Sequence, residues 1–160
     1  MVRLSVITAL LVTASATSAY ADWQYTKWGM TPAQVQAAAG GKLGTRNGSD
    51  ACPSCKPVPM LAGEYATEEF RFRTLFQFAA GQTLSMIDLR MHDEGGQCRS
   101  LYNSLATRYG SPVFQGGGGA LQTARWLDAT GGNTVFFINS AGVDGQCTIQ
   151  YSPLVSNKGL

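Results

Sequence analysis

The chain has 160 residues, of which 12 are Lys or Arg, 10 are Asp or Glu and one is histidine. This balanced charge argues against nucleic acid or an anionic membrane surface as the partner, because both are bound through an excess of basic side chains. With 44% hydrophobic and 14% charged residues the chain has the composition of a folded domain, and a single histidine excludes any site that requires two.

The first segment has the pattern of a cleaved signal peptide. A short positive region at Met1–Arg3 is followed by an apolar run and a small-residue stretch that ends in Ala19-Tyr20-Ala21. The apolar run is shorter than the ~20 residues that a membrane helix needs, and the A-x-A ending predicts cleavage. We therefore expect residues 1–21 to be removed and residues 22–160 to form one domain, exported to the periplasm without a stable membrane anchor.

Because oxidising compartments favour paired cysteines, the four cysteines of an exported chain are expected to form disulfides. Cys52 and Cys55 stand in a Cys-Pro-Ser-Cys run, whereas Cys98 and Cys147 are far apart. Four cysteines allow three pairings. We favour Cys52–Cys55 and Cys98–Cys147, since the last two both fall on the apolar faces of their predicted elements.

The first predicted helix covers Pro32–Ala39 and ends at a pair of glycines. Thr31 is a favourable N-cap residue, proline suits the first helical position, and Gln34 completes a capping box. Residues 42–63 then carry glycine, proline, asparagine and serine at short intervals. This composition predicts an irregular loop, which the first cysteine pair would tether.

The middle of the chain predicts a hairpin and a second helix. Alternating hydrophobic and polar residues indicate strands over Glu69–Ala79 and Thr83–His92, joined by a short turn. An apolar stripe that includes Cys98 predicts an amphipathic helix over Gln97–Tyr109, which ends at Gly110.

The last part of the chain predicts three further strands, near Thr123–Asp128, Asn133–Asn139 and Gln146–Ser152. The glycine run Gly116–Gly119 before them is expected to be a flexible connector, since it lacks the Lys-Ser/Thr of a phosphate-binding loop. The order helix, meander, helix, meander predicts an α+β fold, with two helices packed on one face of an antiparallel sheet of four to six strands.

The run Trp28-Gly29-Met30-Thr31-Pro32-Ala33-Gln34-Val35 resembles the W-G-M-[ST] start of many small exported proteins of Gram-negative bacteria. The helix-then-meander plan is similar to the SmpA/OmlA outer-membrane assembly family and to the β-lactamase inhibitor protein fold. This resemblance implies a protein that acts through its surface, as an assembly factor or inhibitor, rather than as an enzyme. It carries over no specific binding residue.

Three arginines are the candidate partner-binding residues. Arg71, Arg73 and Arg90 are expected to lie together on the outer face of the first strand pair, where they suit an anion or an acidic partner. The alternative is the polar side of a half-exposed sheet, with Glu69 and Asp88 as cross-strand partners.

The leading functional expectation is a non-enzymatic domain that binds another exported protein, without a metal or other cofactor and without catalytic residues. One alternative is a thiol–disulfide oxidoreductase that uses Cys52 and Cys55, because a Cys-x-x-Cys run can exchange disulfides. Another is a carrier of a small apolar ligand between the helices and the sheet. His92-Asp93-Glu94 is interpreted as a solvated turn rather than a general base or metal site.

Overall fold

The computed structural model describes residues 22–46, 58–80 and 82–154. The predicted signal peptide and the Cys52–Cys55 pair lie outside the described residues. The elements are β1 (Asp22–Trp23), β2 (Thr26–Lys27), α1 (Pro32–Ala38), β3 (Gly44–Thr45), β4 (Val58–Ala66), β5 (Arg71–Phe78), β6 (Leu84–His92), α2 (Gln97–Tyr109), β7 (Phe114–Gly118), β8 (Leu121–Asp128), β9 (Asn133–Asn139), α3 (Ala141–Asp144) and β10 (Gln146–Pro153).

Eight of these strands form one antiparallel sheet in the order β3-β4-β5-β6-β10-β9-β8-β7, and β1 and β2 form a separate two-stranded ribbon. The last strands of two successive meanders, β6 and β10, lie side by side at the centre, with Leu89 opposite Ile149. Along the chain α1 precedes β3 to β6, and α2 precedes β7 to β10. The sheet therefore consists of two halves that meet at the β6–β10 pair.

The prediction of two helices on a sheet of four to six strands was wrong, because the sheet has eight strands and the described residues include a third short helix, α3. One missed strand, β4, begins inside the loop predicted at 42–63. Pro59 does not break β4 because the pairing with β5 shifts register between Pro59 and Leu61. Proline is tolerated in a strand at such an irregularity.

Another missed strand is β7, which occupies much of the glycine run predicted to be a connector. Gly117 has a φ of 105°, and a Cβ added there would collide with the backbone of Leu121. Glycine is therefore required for the close approach of β7 to β8, rather than for flexibility. β7 lies at one edge of the sheet, opposite the two-residue edge strand β3.

The hydrophobic core lies on one face of the sheet. Phe76, Ile87, Tyr151, Val135 and Trp126 follow one another across five neighbouring strands in register. All five side chains are buried. Since side chains alternate between the two faces of a strand, this row defines the face on which the helices pack.

Both longer helices cover this core face. Val35 of α1 and Leu101 and Leu105 of α2 are buried in the same hydrophobic cluster as the sheet residues. The predicted capping box of α1 is present: the Thr31 N–H donates to Gln34 Oε1 at 2.8 Å, and the Gln34 N–H donates to Thr31 Oγ1 at 3.4 Å. No helix in the described part of the chain is long and apolar enough to cross a bilayer.

A disulfide joins α2 to the centre of the sheet. Cys98 in the first turn of α2 is bonded to Cys147 in β10, with their Cα atoms 5.8 Å apart. Both cysteines are buried. This is the pairing that the sequence predicted, and it holds the start of α2 against a central strand.

Candidate functional site

The candidate site is a cavity of about 470 Å³ between α2 and the core face of the sheet, which we call the central cavity. Its lining combines apolar and aromatic side chains with a smaller set of polar ones. The lining residues are Trp23, Gln24, Tyr65, Thr67, Glu68, Glu69, Phe70, Phe72, Leu89, Leu101, Ser104, Leu105, Arg108, Tyr109, Asp128, Asn133, Ile149 and Tyr151.

The central cavity runs across the sheet rather than along one strand. Its sheet residues come from β4, β5, β6, β10, β9 and β8, which are six consecutive strands of the sheet. It is therefore a partly open channel that is shared by both halves of the sheet.

Aromatic side chains line the channel near the β4–β5 connection. The Trp23 ring meets the Tyr65 ring edge-on with centroids 5.4 Å apart, and Tyr65 stacks on Phe72 at 6.0 Å. Phe70 lies 6.1 Å from Phe72. These separations fall within the range that aromatic pairs prefer, so this end of the lining is held in place by its own ring contacts.

Hydrogen-bond donors line the channel near the C-terminal end of α2. The hydroxyls of Tyr109 and Tyr151 lie 3.5 Å apart, and neither has another hydrogen-bond partner among the described residues. The Arg108 guanidinium lies 5.4 Å from the centroid of the Tyr109 ring. Two phenols and a guanidinium thus meet at one place in the lining.

The Tyr151 phenol is present as a neutral donor. Burial raises the pKa of Tyr151 well above its ordinary value of 10.0, with a further increase from Tyr109 and an opposing decrease from Arg108. A buried phenol of this kind donates a hydrogen bond at neutral pH and does not act as a base.

Three carboxylates line the channel. Glu68 and Glu69 are exposed in the connection between β4 and β5. Asp128 lies in β8, where its oxygens accept hydrogen bonds from the Gly131 N–H at 2.8 Å and from the Asn133 amide at 3.3 Å. Asp128 is thus satisfied by its neighbours, whereas no ion pair of Glu68 or Glu69 occurs within the described ranges.

The three candidate arginines lie on the opposite face of the sheet, in a second cavity of about 420 Å³ that we call the arginine cleft. Arg73 lies directly opposite Arg90, and Arg71 shares their face. Arg73 is paired with Glu64 at 3.2 Å, and Arg90 with Asp88 at 3.4 Å. The predicted cross-strand partners therefore differ, since Glu64 replaces Glu69 and Asp88 reaches Arg90 from the same strand.

A buried polar cluster that was not predicted from the sequence lies beside the arginine cleft. Asp88 is 1% exposed. It accepts hydrogen bonds from the side-chain amides of Gln77 at 2.5 Å and Gln150 at 3.1 Å. Burial raises the pKa of Asp88, and Arg90 together with these hydrogen bonds opposes the increase. Asp88 was expected on the polar side of a half-exposed sheet, but it is buried together with Gln77.

The remaining candidates do not assemble a catalytic or metal centre in the described part of the chain. His92 is exposed, and Asp93 accepts a hydrogen bond from the Cys98 N–H at 2.8 Å, so that Asp93 serves the start of α2. Nowhere in residues 22–46, 58–80 and 82–154 do three His, Cys, Asp or Glu side chains lie close enough to hold a metal ion. The thiol–disulfide alternative rests on Cys52 and Cys55, which lie outside the described residues.

The polar groups near the C-terminal end of α2, namely Arg108, Tyr109 and Tyr151, were not predicted from the sequence. The available signal was the sequence Leu105-Ala-Thr-Arg108-Tyr109 at the end of the apolar stripe, where a charged and an amphipathic side chain follow a core leucine. Such side chains often place their polar ends at the border of an apolar surface.

Comparison with known proteins gives little information about function. No protein-family model and no curated protein matches this chain. Among solved structures, the chain is similar to a DUF4309 family protein, YjgB, from Bacillus subtilis. The two chains are 13% identical, the match covers 77% of this chain and 78% of the other, and the TM-score is 0.44. A likeness of this degree carries no argument about function.

Proposed function

We propose that the protein binds a small apolar ligand in the central cavity. The observation that carries this proposal is the aromatic-lined space of about 470 Å³ between α2 and the core face of the sheet. Ligand sites occupy about 300–1,000 Å³ and combine apolar walls with a few polar groups, as this channel does.

Binding rather than catalysis is proposed because of the side chains in the lining. Ser104 is the hydroxyl nucleophile candidate on α2, but no histidine is among the described lining residues. The buried Tyr151 phenol is a hydrogen-bond donor, and the Asp128 carboxylate is engaged by Gly131 and Asn133. These groups are suited to orienting a ligand and not to activating a nucleophile.

The test is a titration with a neutral naphthylamine dye whose fluorescence rises in apolar surroundings. The wild-type protein should bind the dye saturably. Ser104→Trp should abolish binding because it places a large ring at the cavity. Thr107→Trp, which places the same ring on an exposed position of α2 outside the lining, should leave binding unchanged. Absence of saturable binding by the wild type, or equal binding by both variants, would contradict the proposal.

A protein partner at the arginine cleft is the second candidate function, and the exposure of Arg71 favours it. Arg73 and Arg90 are partly engaged by Glu64 and Asp88, whereas Arg71 is exposed beside them. A photo-crosslinking residue at position 71 should capture one defined exported protein if this surface is a docking site. The same residue at Arg99, which is exposed on α2, should not capture it. Equal capture from both positions would reject this candidate.

The proposed place of action is the periplasm. A buried disulfide between Cys98 and Cys147 is compatible with an oxidising compartment, in which such bonds persist. Fractionation of cells that express the full chain should place the protein in the periplasm. Retention in the cytosol would contradict this part of the proposal.

A further inference from the structure

The charged side chains that line the central cavity have an excess of negative charge. The carboxylates are Glu68, Glu69 and Asp128, and the described lining has one cationic side chain, Arg108. Three negative charges and one positive charge give the lining a net charge of −2. The full sequence, by contrast, carries a formal net charge of +2. The acidic balance of the lining is therefore local and does not follow from the composition of the chain.

A tight turn holds two of these carboxylates at the cavity. The Thr67 N–H donates to the Phe70 carbonyl at 2.8 Å, and the Phe70 N–H donates to the Thr67 hydroxyl at 3.0 Å. These two bonds close the connection between β4 and β5, and Glu68 and Glu69 lie between the bonded residues. Neither glutamate has an ion pair within the described ranges, so both charges are available to a ligand.

Asp128 adds a third negative charge that no cation balances. Its two hydrogen bonds come from the Gly131 N–H and the Asn133 amide, which are both neutral donors. Such donors fix the position of the carboxylate but leave its charge in place. Since charges act over about 10 Å at ordinary salt concentrations, Asp128 favours a cation in the cavity without having to contact it.

The aromatic part of the lining forms one continuous wall around Trp23. Its ring lies 5.4 Å from that of Tyr65, at an angle of 69°, and 6.3 Å from that of Tyr151, at an angle of 44°. Tyr65 in turn stacks on Phe72 at 6.0 Å. The rings are thus inclined to one another and present faces in several directions. The faces of aromatic rings attract cations, most strongly for tryptophan, and groups of such rings bind quaternary ammonium ligands.

The carboxylates and the rings favour the same sign of charge on the ligand. A cation is attracted by both, a neutral ligand gains from neither, and an anion is repelled by the carboxylates. We infer that the ligand of the central cavity is an apolar organic cation, an amine or a quaternary ammonium on a hydrocarbon body, attracted by Glu68, Glu69 and the ring of Trp23. This inference rests on the proposed binding function and adds to it the charge of the ligand.

The experiment compares three probes of nearly equal size, phenylbutylamine, phenylbutanol and phenylbutanoate, by displacement of the neutral dye at neutral pH and low salt. The amine is then a cation and the butanoate an anion. The amine should bind about tenfold more tightly than the butanoate, a difference of about 1.4 kcal/mol, and about threefold more tightly than the alcohol. Added salt should weaken the amine and leave the alcohol unchanged, because it screens the carboxylates.

Charge variants identify the groups that select the amine. Glu68→Gln/Glu69→Gln should weaken the amine about threefold and leave the alcohol unchanged. Glu94→Gln removes an exposed carboxylate outside the lining and should change neither affinity. Arg108→Gln should strengthen the amine about twofold, because it removes the positive charge of the described lining. Since Glu68 and Glu69 also line the arginine cleft, loss of amine binding by Ser104→Trp, measured by calorimetry, should locate the amine in the central cavity.

The outcomes separate this inference from the binding function. If the alcohol or the butanoate binds as tightly as the amine, the cationic ligand is overturned while the binding function stands. Equal effects of the glutamine substitutions at the turn and at Glu94, or retention of amine binding by Ser104→Trp, also overturn it. If the dye itself fails to bind, the binding function and this inference fall together.

Discussion

The bond between Cys98 and Cys147 should be the largest single covalent contribution to stability in the described part of the chain. It connects residues 49 apart in sequence. In the chain-entropy treatment, closing a loop of this length in the unfolded chain contributes about 4 kcal/mol. Because a domain of this size is stable by about 5–15 kcal/mol, loss of the bond should remove a large part of the free energy of unfolding.

The assay is urea denaturation of the oxidised and reduced forms in a Cys52→Ala/Cys55→Ala background, in which a reductant acts on Cys98 and Cys147 alone. Reduction keeps both buried sulfurs and removes only the bond, so the free energy of unfolding should fall by about 4 kcal/mol. Replacing both residues by alanine should cost a further 1–2 kcal/mol, roughly, from the buried volume that is lost. Peptide mapping of the oxidised form checks the pairing itself.

A loss below about 1 kcal/mol on reduction would refute the reasoning. It would mean either that the oxidised chain has another pairing or that the unfolded chain is not restricted by this loop. Peptide mapping distinguishes these two explanations, because only the first changes the crosslinked peptides.

Two further predictions concern Asp88 and the edge strand β7. Since burial raises the pKa of Asp88 in the folded state, stability should fall as the pH rises from about 3.8 through that raised pKa, at up to about 1.4 kcal/mol per pH unit. Asp88→Asn should flatten this part of a urea-denaturation pH series, and an unchanged slope would show that Asp88 is not its source. Gly117→Ala should destabilise the fold by more than 1 kcal/mol, roughly, because of its positive φ and the backbone of Leu121. Gly118→Ala, which meets open space, is the matched control in thermal denaturation, and equal effects of the two substitutions would contradict this account.

Local chemistry made α1 and α2 predictable from the sequence. Thr31 and Gln34 form a capping box, which marks the start of α1 in the sequence. The apolar stripe of α2 follows the helical period. Strands β5 and β6 were predictable in the same way, because their alternation requires only neighbouring residues. In each case the signal lies within a few residues of the element that it predicts.

The strands that were missed depend on distant partners. Pro59 and Gly63 in β4 are turn-forming residues by local preference, yet β5 pairs with both ends of this strand. At Gly63 an added Cβ would lie 2.6 Å from Leu43 Cδ2, so the glycine serves tertiary packing. Local propensity is a weak guide in strands because packing against neighbours decides the outcome.

The central cavity could not be predicted from the sequence for the same reason. Its lining is drawn from six strands, α2 and the segment at Trp23, which are brought together only by the sheet order. The sequence indicates the burial of Phe70 and Phe72 through the alternation of apolar and polar residues, and both are buried. What it could not show is that Arg108 and Tyr151 lie in the same space, because they belong to elements distant in the chain.

The place of the cavity follows from how the two halves of the sheet are covered. α1 contacts β4, near one edge of the sheet, and α2 contacts β8, near the other edge. The central strands β6 and β10 therefore lie between the two helices, and they supply Leu89, Ile149 and Tyr151 to the lining. A sheet of eight strands is too wide for two short helices to cover completely, since strands are about 4.8 Å apart and a helix is about 10 Å across. The space that remains at the junction of the halves is the channel, and its width depends on α2 staying where the disulfide to β10 holds it.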